Sequence, residues 1–230
     1  MKKYYDFSSF KNKHQNEKCF VILTGPSLTL EDVELLKNET TFAVNSCIRL
    51  FPKTTWRPTY YVITDRLVYQ SIGKELEESD LSCPIFYSRN GLGTKIKKEN
   101  ALPFRALYFH HFWNYMTRGR TTLGWSNDIS KGVADAPSCV YAVMQIAYYM
   151  GFKEVYVIGA DCNYSGSNQH SSVANYTPKV KISSNAGNHV LKAWRSIKKH
   201  LETKNMTVYN STRGGMLELF ERVPLEDALK

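Results

Sequence analysis

The chain has no C-x-x-C pair, and its cysteines, Cys19, Cys47, Cys83, Cys139 and Cys162, are scattered. An odd set without pairing argues against a disulfide framework or a zinc site and fits a reducing cytoplasm. Cys19, Cys47 and Cys139 lie in apolar segments and are expected to be buried thiols. The opening run, MKKYYDFSSFKNKHQNEK, lacks the apolar centre of a leader. No later segment has the uninterrupted apolar length of a membrane-spanning helix. The expectation is a cytoplasmic protein that at most touches the inner face of a membrane. Internal repeats and low-complexity tracts are also missing. So are the G-x-G-x-x-G of a dinucleotide fold, the G-K-[ST] of a P-loop and the D-x-D of a local metal motif. No cofactor and no metal are expected from these motifs.

What is present is enough apolar residue, 43%, for a real core in a chain of 230 residues. That length fits one large domain or a domain with a sizeable insertion. The net charge of +9 favours anionic partners such as nucleotides, acidic glycans or an anionic membrane surface. Nucleic acid fits the charge too. The basic residues are spread out, however, and no recognition helix or stacking-sheet motif accompanies them, so no nucleic-acid partner is expected.

The chain is organised around residues 19–28, CFVILTGPSL. A buried strand over 19–23 runs into the turn Thr24, Gly25, Pro26 and Ser27, and a helix over 30–37 follows. A strand, a glycine turn and a helix in that order make the first βα unit of a nucleotide-binding α/β domain. The turn amides and the helix N-terminus would both favour an anion there. Further strands are predicted at 41–46, 60–64, 84–87, 154–159 and 207–209, with helices at 71–78, 138–150 and about 188–204. The spacing suits parallel crossovers rather than hairpins. We therefore expect an α/β, Rossmann-like, mostly parallel sheet with helices on both faces. Residues 1–18 read as a basic lead-in, and 19–230 as a single domain. Residues 67–131 read as a lid-like insertion, including the basic loop 89–100 (RNGLGTKIKKEN).

In an open parallel sheet, ligands bind beyond the carboxyl ends of the strands. Here those ends carry Thr24, Asn45, Thr64 and Asp65, Asp161, and Asn210. Asn45 supplies both a donor and an acceptor for a base or ribose. Thr24 and Ser27, with the turn amides, are candidates to hold phosphate. Asp65 and Asp161 are the carboxylates at strand ends, suited to ribose, acid–base work or a cation. His170 and His189 follow the strand that ends at Asp161, and either can act as a base near neutral pH. His14 and His200 read as surface residues. Arg118, Arg120 and Ser138 are candidates to stabilise a departing phosphate.

Together these runs resemble the MptE-like, Maf-type family of bacterial and archaeal proteins. The resemblance rests on GPSL after the first strand, Asn45 after the second and P-T-Y-Y-V-I-T-D closing the third. It continues with VYAVMQIAYYMGF, VYVIGAD, the loop with His170, and VYNSTRGG. It leaves 67–131 uncovered. Two activities are implied. One is glycosyl transfer from a CMP-activated nonulosonate, as in small bacterial sialyltransferases and the Maf proteins. The other is Mg²⁺-dependent transfer of pyrophosphate from ATP to a hydroxymethylpterin. The sialyltransferases have Asn at Thr24, an Arg at Ala136, and a Tyr at Asn163, where Tyr164 is adjacent. The pyrophosphokinases would show an acid-rich T-D-x-D-G run where Thr64, Asp65, Arg66 and Leu67 stand. The resemblance thus implies a metal-independent glycosyltransferase with a nucleotide-sugar donor and a glycan or glycoprotein acceptor. In that reading the nucleotide contacts are Thr24, Gly25, Pro26, Ser27, Asn45, Thr64, Asp65, Ser138, Asn163 and Tyr164. The catalytic residues are His170, His189 and Asp161. A non-catalytic nucleotide- or glycan-binding protein is the remaining alternative, and a homo-oligomer is compatible with each.

Overall fold

The computed structural model describes residues 4–108, 123–163 and 186–230. Its centre is a sheet of seven parallel strands in the order β5-β4-β3-β2-β1-β8-β9. These are β1 (Lys18–Ile22), β2 (Thr41–Val44), β3 (Tyr60–Ile63), β4 (Ile85–Ser88), β5 (Ala101–Phe104), β8 (Glu154–Ile158) and β9 (Thr207–Asn210). Two short strands, β6 (Ala106–Leu107) and β7 (Val133–Ala134), pair separately. The helices are α1 (Leu30–Leu35), α2 (Arg66–Glu78), α3 (Arg89–Leu92), α4 (Cys139–Met150), α5 (Ala186–Leu201) and α6 (Leu225–Ala228). This is the doubly wound α/β sheet expected from the strand spacing. No helix among the described residues is long and apolar enough to cross a membrane.

The two-residue period of the strands divides the interior into two cores. Cys19, Val21, Phe42, Val44, Tyr60 and Val62 point to one face and pack with α4 and α5. Phe20, Ile22, Ala43, Tyr61 and Ile63 point to the other and pack with α1, α2, α6 and the 3-10 helix Asn45–Lys53. Both faces are covered, so the strands read as continuous apolar runs rather than alternating ones. Each such large side chain contributes about 1.5–3 kcal/mol on burial. α4 lies against the sheet and is apolar all round, with Val140, Val143, Met144, Ile146 and Ala147 buried. It stops at Gly151, whose φ of 90° is a left-handed conformation suited to glycine.

The lead-in is docked. The amides of Asn12, His14 and Asn16 donate to the carbonyls of Tyr149, Met150 and Gly151 at 3.0, 2.8 and 2.9 Å. They thereby satisfy acceptors that the end of α4 would leave unpaired. Phe7 stacks on Phe86 with centroids 5.6 Å apart. His14 is not the surface residue expected: its ring stacks on Phe152 at 4.5 Å and its Nε2 lies 2.7 Å from the Tyr60 hydroxyl.

The stretch 67–131 differs from expectation as well. Residues 66–104 supply α2, β4, α3 and β5, which extend the main sheet by two strands. Helix α2 begins before the predicted 71 because Asp65 caps it, accepting from the amides of Leu67 (2.7 Å) and Val68 (3.0 Å). Strand β5 escaped notice because Pro103 lies inside it, which is tolerated since β5 is an edge strand.

His200, expected at the surface, has Nε2 2.7 Å from the Leu123 carbonyl and its ring 5.3 Å from that of Trp125. Burial, with help from Lys204 and Lys199, pushes its pKa below the ordinary value, while the bond to Leu123 opposes this. The folded state therefore holds fewer protons than the unfolded one. The stability contributed is full above the ordinary histidine pKa and is lost as pH falls from there through the lowered folded-state value. The parent's resistance to chemical denaturation should fall as pH drops below about 6.5, the ordinary histidine value. His200→Gln should flatten that part of the profile; an unchanged slope would remove His200 as its source.

Candidate functional site

The strand order reverses between β1 and β8, and a cleft of about 460 Å³ opens at the carboxyl ends of the strands there. This is where a doubly wound sheet leaves room for a ligand, and the size falls in the range of small-molecule sites. Thr24 and Gly25 enter from β1, Asn45 from β2, Thr64 and Asp65 from β3, and Asp161 and Asn163 from β8. Ser138 enters from the start of α4. Eight of the sequence-predicted residues are thus brought together. Pro26 and Ser27 do not line the cleft. His189 is exposed on α5, one position before the lining residue Val190. Tyr164, His170, Arg118 and Arg120 lie outside the described residues.

The Thr24–Ser27 turn is a brace between β1 and β8. The Gly25 amide donates to the Gly159 carbonyl at 2.9 Å, and the Leu28 amide to the Gly25 carbonyl at 3.2 Å. Ser27 donates its amide to Asp161 Oδ1 (3.2 Å) and its hydroxyl to Oδ2 (2.8 Å). These amides are engaged within the protein, so the expected phosphate cradle is not free in this arrangement. The segment after β9 braces the same place from outside. Thr212 Oγ1 accepts from the Ala160 amide at 2.9 Å, and the Met216 amide donates to the Asp161 carbonyl at 2.7 Å. Asn210 belongs to this brace, not to the cleft: Nδ2 donates to the Leu217 carbonyl and Oδ1 accepts from the Thr212 amide.

Asn45 has the unusual backbone, with φ at 50°, which asparagine tolerates better than most residues. Its carbonyl accepts from the buried Tyr61 hydroxyl, and its Nδ2 lies 3.2 Å from Cys139 Sγ. Its Oδ1 is buried and has no hydrogen-bond partner among the described residues. A buried acceptor without a partner is costly, and a ligand donor would relieve that cost. Cys139 sits beside it at the first turn of α4. Burial raises its pKa to about 12, although Asn45 and nearby backbone amides pull it down. The thiol therefore stays protonated near neutral pH and is a poor nucleophile.

The N-terminus of α4 forms the opposite wall. Ser138 is its N-cap residue, yet its side chain makes no capping bond. Ser138 and the positive end of a twelve-residue helix together line the cleft. The lining residues not anticipated as site residues include Arg66, Asp135, the half-exposed Tyr108 and buried Trp194. Trp194 was legible in principle, since it stands one helical turn beyond Val190 on α5 and so shares its face.

The chain matches the MptE-like family, described as 6-hydroxymethylpterin diphosphokinase MptE-like, over residues 1–167. A probable 3-deoxy-manno-octulosonic acid transferase of Salmonella typhimurium is 20% identical over 178 residues, covering 65% of this chain and 66% of that protein. The Maf glycosyltransferase of Magnetospirillum magneticum AMB-1 has the same fold, with a TM-score of 0.62 at 14% identity. That match covers 94% of this chain but 35% of the larger protein. The chain therefore spans just under two thirds of its curated relative and about a third of its structural neighbour. The resemblance read from GPSL, Asn45 and VYVIGAD holds, and the chain belongs to the MptE-like family.

Proposed function

We propose that the protein is a glycosyltransferase that takes a sialic-acid-like sugar from a CMP-linked donor and passes it to a surface glycan or glycoprotein. The observation that carries this reading is the pairing of the unspent Ser138 cap at α4 with the unpartnered Asn45 Oδ1 across one switch-point cleft. The helix end suits the phosphate, and the amide oxygen suits a donor on base or ribose. The transferase names of the relatives support the class. In the step, His170 or His189 takes the proton of the acceptor hydroxyl. That oxygen bonds to the anomeric carbon as the bond from that carbon to the phosphate oxygen breaks. CMP leaves with its charge at the α4 N-terminus, an inverting displacement. It consumes a nucleotide sugar and a glycan acceptor and releases CMP and the extended glycan, and the basic surface suits contact with an anionic membrane.

The family's description favours a second reading, a Mg²⁺-dependent pyrophosphokinase. Two of the three described cleft carboxylates, Asp161 and Asp65, already hold the fold together, and Asp135 is the third. Asp161 gives both oxygens to Ser27, and Asp65 gives Oδ1 to the cap of α2.

Thermal shift with CMP, UDP, GDP, ADP and ATP, each with and without Mg²⁺, separates the two. At a hundredfold excess over Kd, a ligand adds about 2.7 kcal/mol, or roughly 5–10 °C in Tm for a chain of this size. CMP without metal should give that shift, and Asn45→Ala should reduce it. A shift from ATP with Mg²⁺ alone would overturn the glycosyltransferase reading in favour of the kinase. Binding without turnover, unchanged when both histidines become alanine, would leave a binding protein.

A further inference from the structure

A second concavity, of about 650 Å³, lies between α2 and the loop that follows α3, and it shares Arg66 with the cleft. It is lined by Arg66, Tyr69, Gly73, Lys74, Lys95 and Lys97 among others. Four of its lining residues are cationic. The carboxylate among them, Glu77, is committed inward: Oε1 accepts from the Tyr69 hydroxyl at 2.8 Å and from the Lys97 amide at 2.8 Å. Among the described residues Lys74 makes a 3.9 Å surface contact with Glu78, which is worth little.

The groove is held in shape. Leu92 and Ile96 are buried in the core, 1% and 0% exposed, and pin the loop at two points. Lys95 and Lys97 flank Ile96 and are both exposed, so they stand out while it points in. Tyr69 lies along α2 because Gly73, one turn on, has no side chain. A Cβ on Gly73 would sit 3.3–3.5 Å from three atoms of the ring. A flat, half-buried ring beside several cations is a platform for the apolar face of a sugar, with charge at hand for its anionic group.

We infer that this groove binds an anionic saccharide, the sugar ring resting on Tyr69 and its phosphate or carboxylate held by Lys95, Lys97 and Arg66. Resting on the glycosyltransferase reading above, it is the acceptor subsite: an acceptor must lie next to the donor for its hydroxyl to reach the anomeric carbon, and Arg66 joins the two spaces.

Isothermal titration calorimetry tests this with four probes on the whole protein: glucose 6-phosphate, sialyllactose, lactose and inorganic phosphate. The sugar phosphate or the sialyl sugar should bind at least about tenfold more tightly than lactose, and whichever binds identifies the anionic group. Lys95→Ala with Lys97→Ala should weaken it by about tenfold or more. Tyr69→Leu, which keeps the bulk, should weaken the saccharide and leave inorganic phosphate unchanged. The CMP-induced thermal shift should persist in every variant, which also shows that they fold. Inorganic phosphate binding as tightly as the sugar phosphate, with Tyr69→Leu indifferent, would reduce the groove to a bare anion site. Binding of no saccharide at millimolar concentration, or binding insensitive to the lysines, would overturn the inference. Saccharide binding in a protein that ignores CMP would instead count against the donor reading and leave the groove standing.

Discussion

Gly25→Ala is expected to lose about 3 kcal/mol or more of stability, a fall of roughly 6–12 °C in Tm. A Cβ at Gly25 would sit 2.0 Å from Asp161 Oδ2 and 2.4 Å from the Gly159 carbonyl oxygen. Neither neighbour can move away easily. Asp161 is held by the amide and hydroxyl of Ser27. Gly159 is main chain, accepts from the Gly25 amide at 2.9 Å, and has a φ of 66°. Gly159 is itself close-packed, since a Cβ there would meet the Leu23 carbonyl oxygen at 2.4 Å. Two glycines thus let β1 and β8 approach at the point where the strand order reverses. Gly93→Ala is the control. It has a φ of 70° but open space around it, so only the backbone conformation is strained, at about 1–2 kcal/mol. Urea denaturation of both variants measures the difference. Equal losses would mean that the approach of the turn to Asp161 is not as close as described.

The same contacts show what the sequence could and could not say. Six of the seven strands of the main sheet were legible because each is an apolar run ended by a polar residue; β5, interrupted by Pro103, was not. Gly151 as the end of α4 was legible because a left-handed residue after a long apolar helix favours glycine. The strand ends were harder. Thr24, Asn45, Thr64, Asp65 and Asp161 do gather at one cleft. Their individual duties depend on partners distant in sequence. Ser27 and Asp161 are 134 positions apart, and so their bond leaves no local pattern. Asp65 lines that rim and also caps α2, a second duty that an expected helix start at 71 conceals. Asn210 obeyed the strand-end pattern and was turned aside by a local loop. The RNGLGTKIKKEN segment looked like a loop by composition. Its order comes from the burial of Leu92 and Ile96, which a polar, basic stretch hides.

Arg213→Ala is expected to cost about 2–3 kcal/mol, and the loss should come through Asp32 rather than through Arg213 itself. Asp32 is buried, its side chain 7% exposed, and receives a two-pronged pair from Arg213 at 2.7 and 2.6 Å. It also closes the capping box of α1 by accepting from the Thr29 amide at 2.9 Å. Taking the guanidinium away leaves a carboxylate with that neutral donor and little water. The Arg213 side chain is 53% exposed, so water partly refills the gap, and the loss falls short of that for a fully enclosed pair. A double-mutant cycle isolates the cause. Asp32→Asn removes the charge while keeping a carbonyl oxygen for the Thr29 amide. Arg213→Ala in that background should therefore cost well under half of what it costs alone. The pair also joins α1 to the segment that wraps Asp161, so the single variant should loosen the cleft and weaken the CMP-induced shift in melting temperature. Equal losses in the two backgrounds would show that Arg213 stabilises through its contacts with Ser27 and Thr29, and that Asp32 is solvated well enough without it.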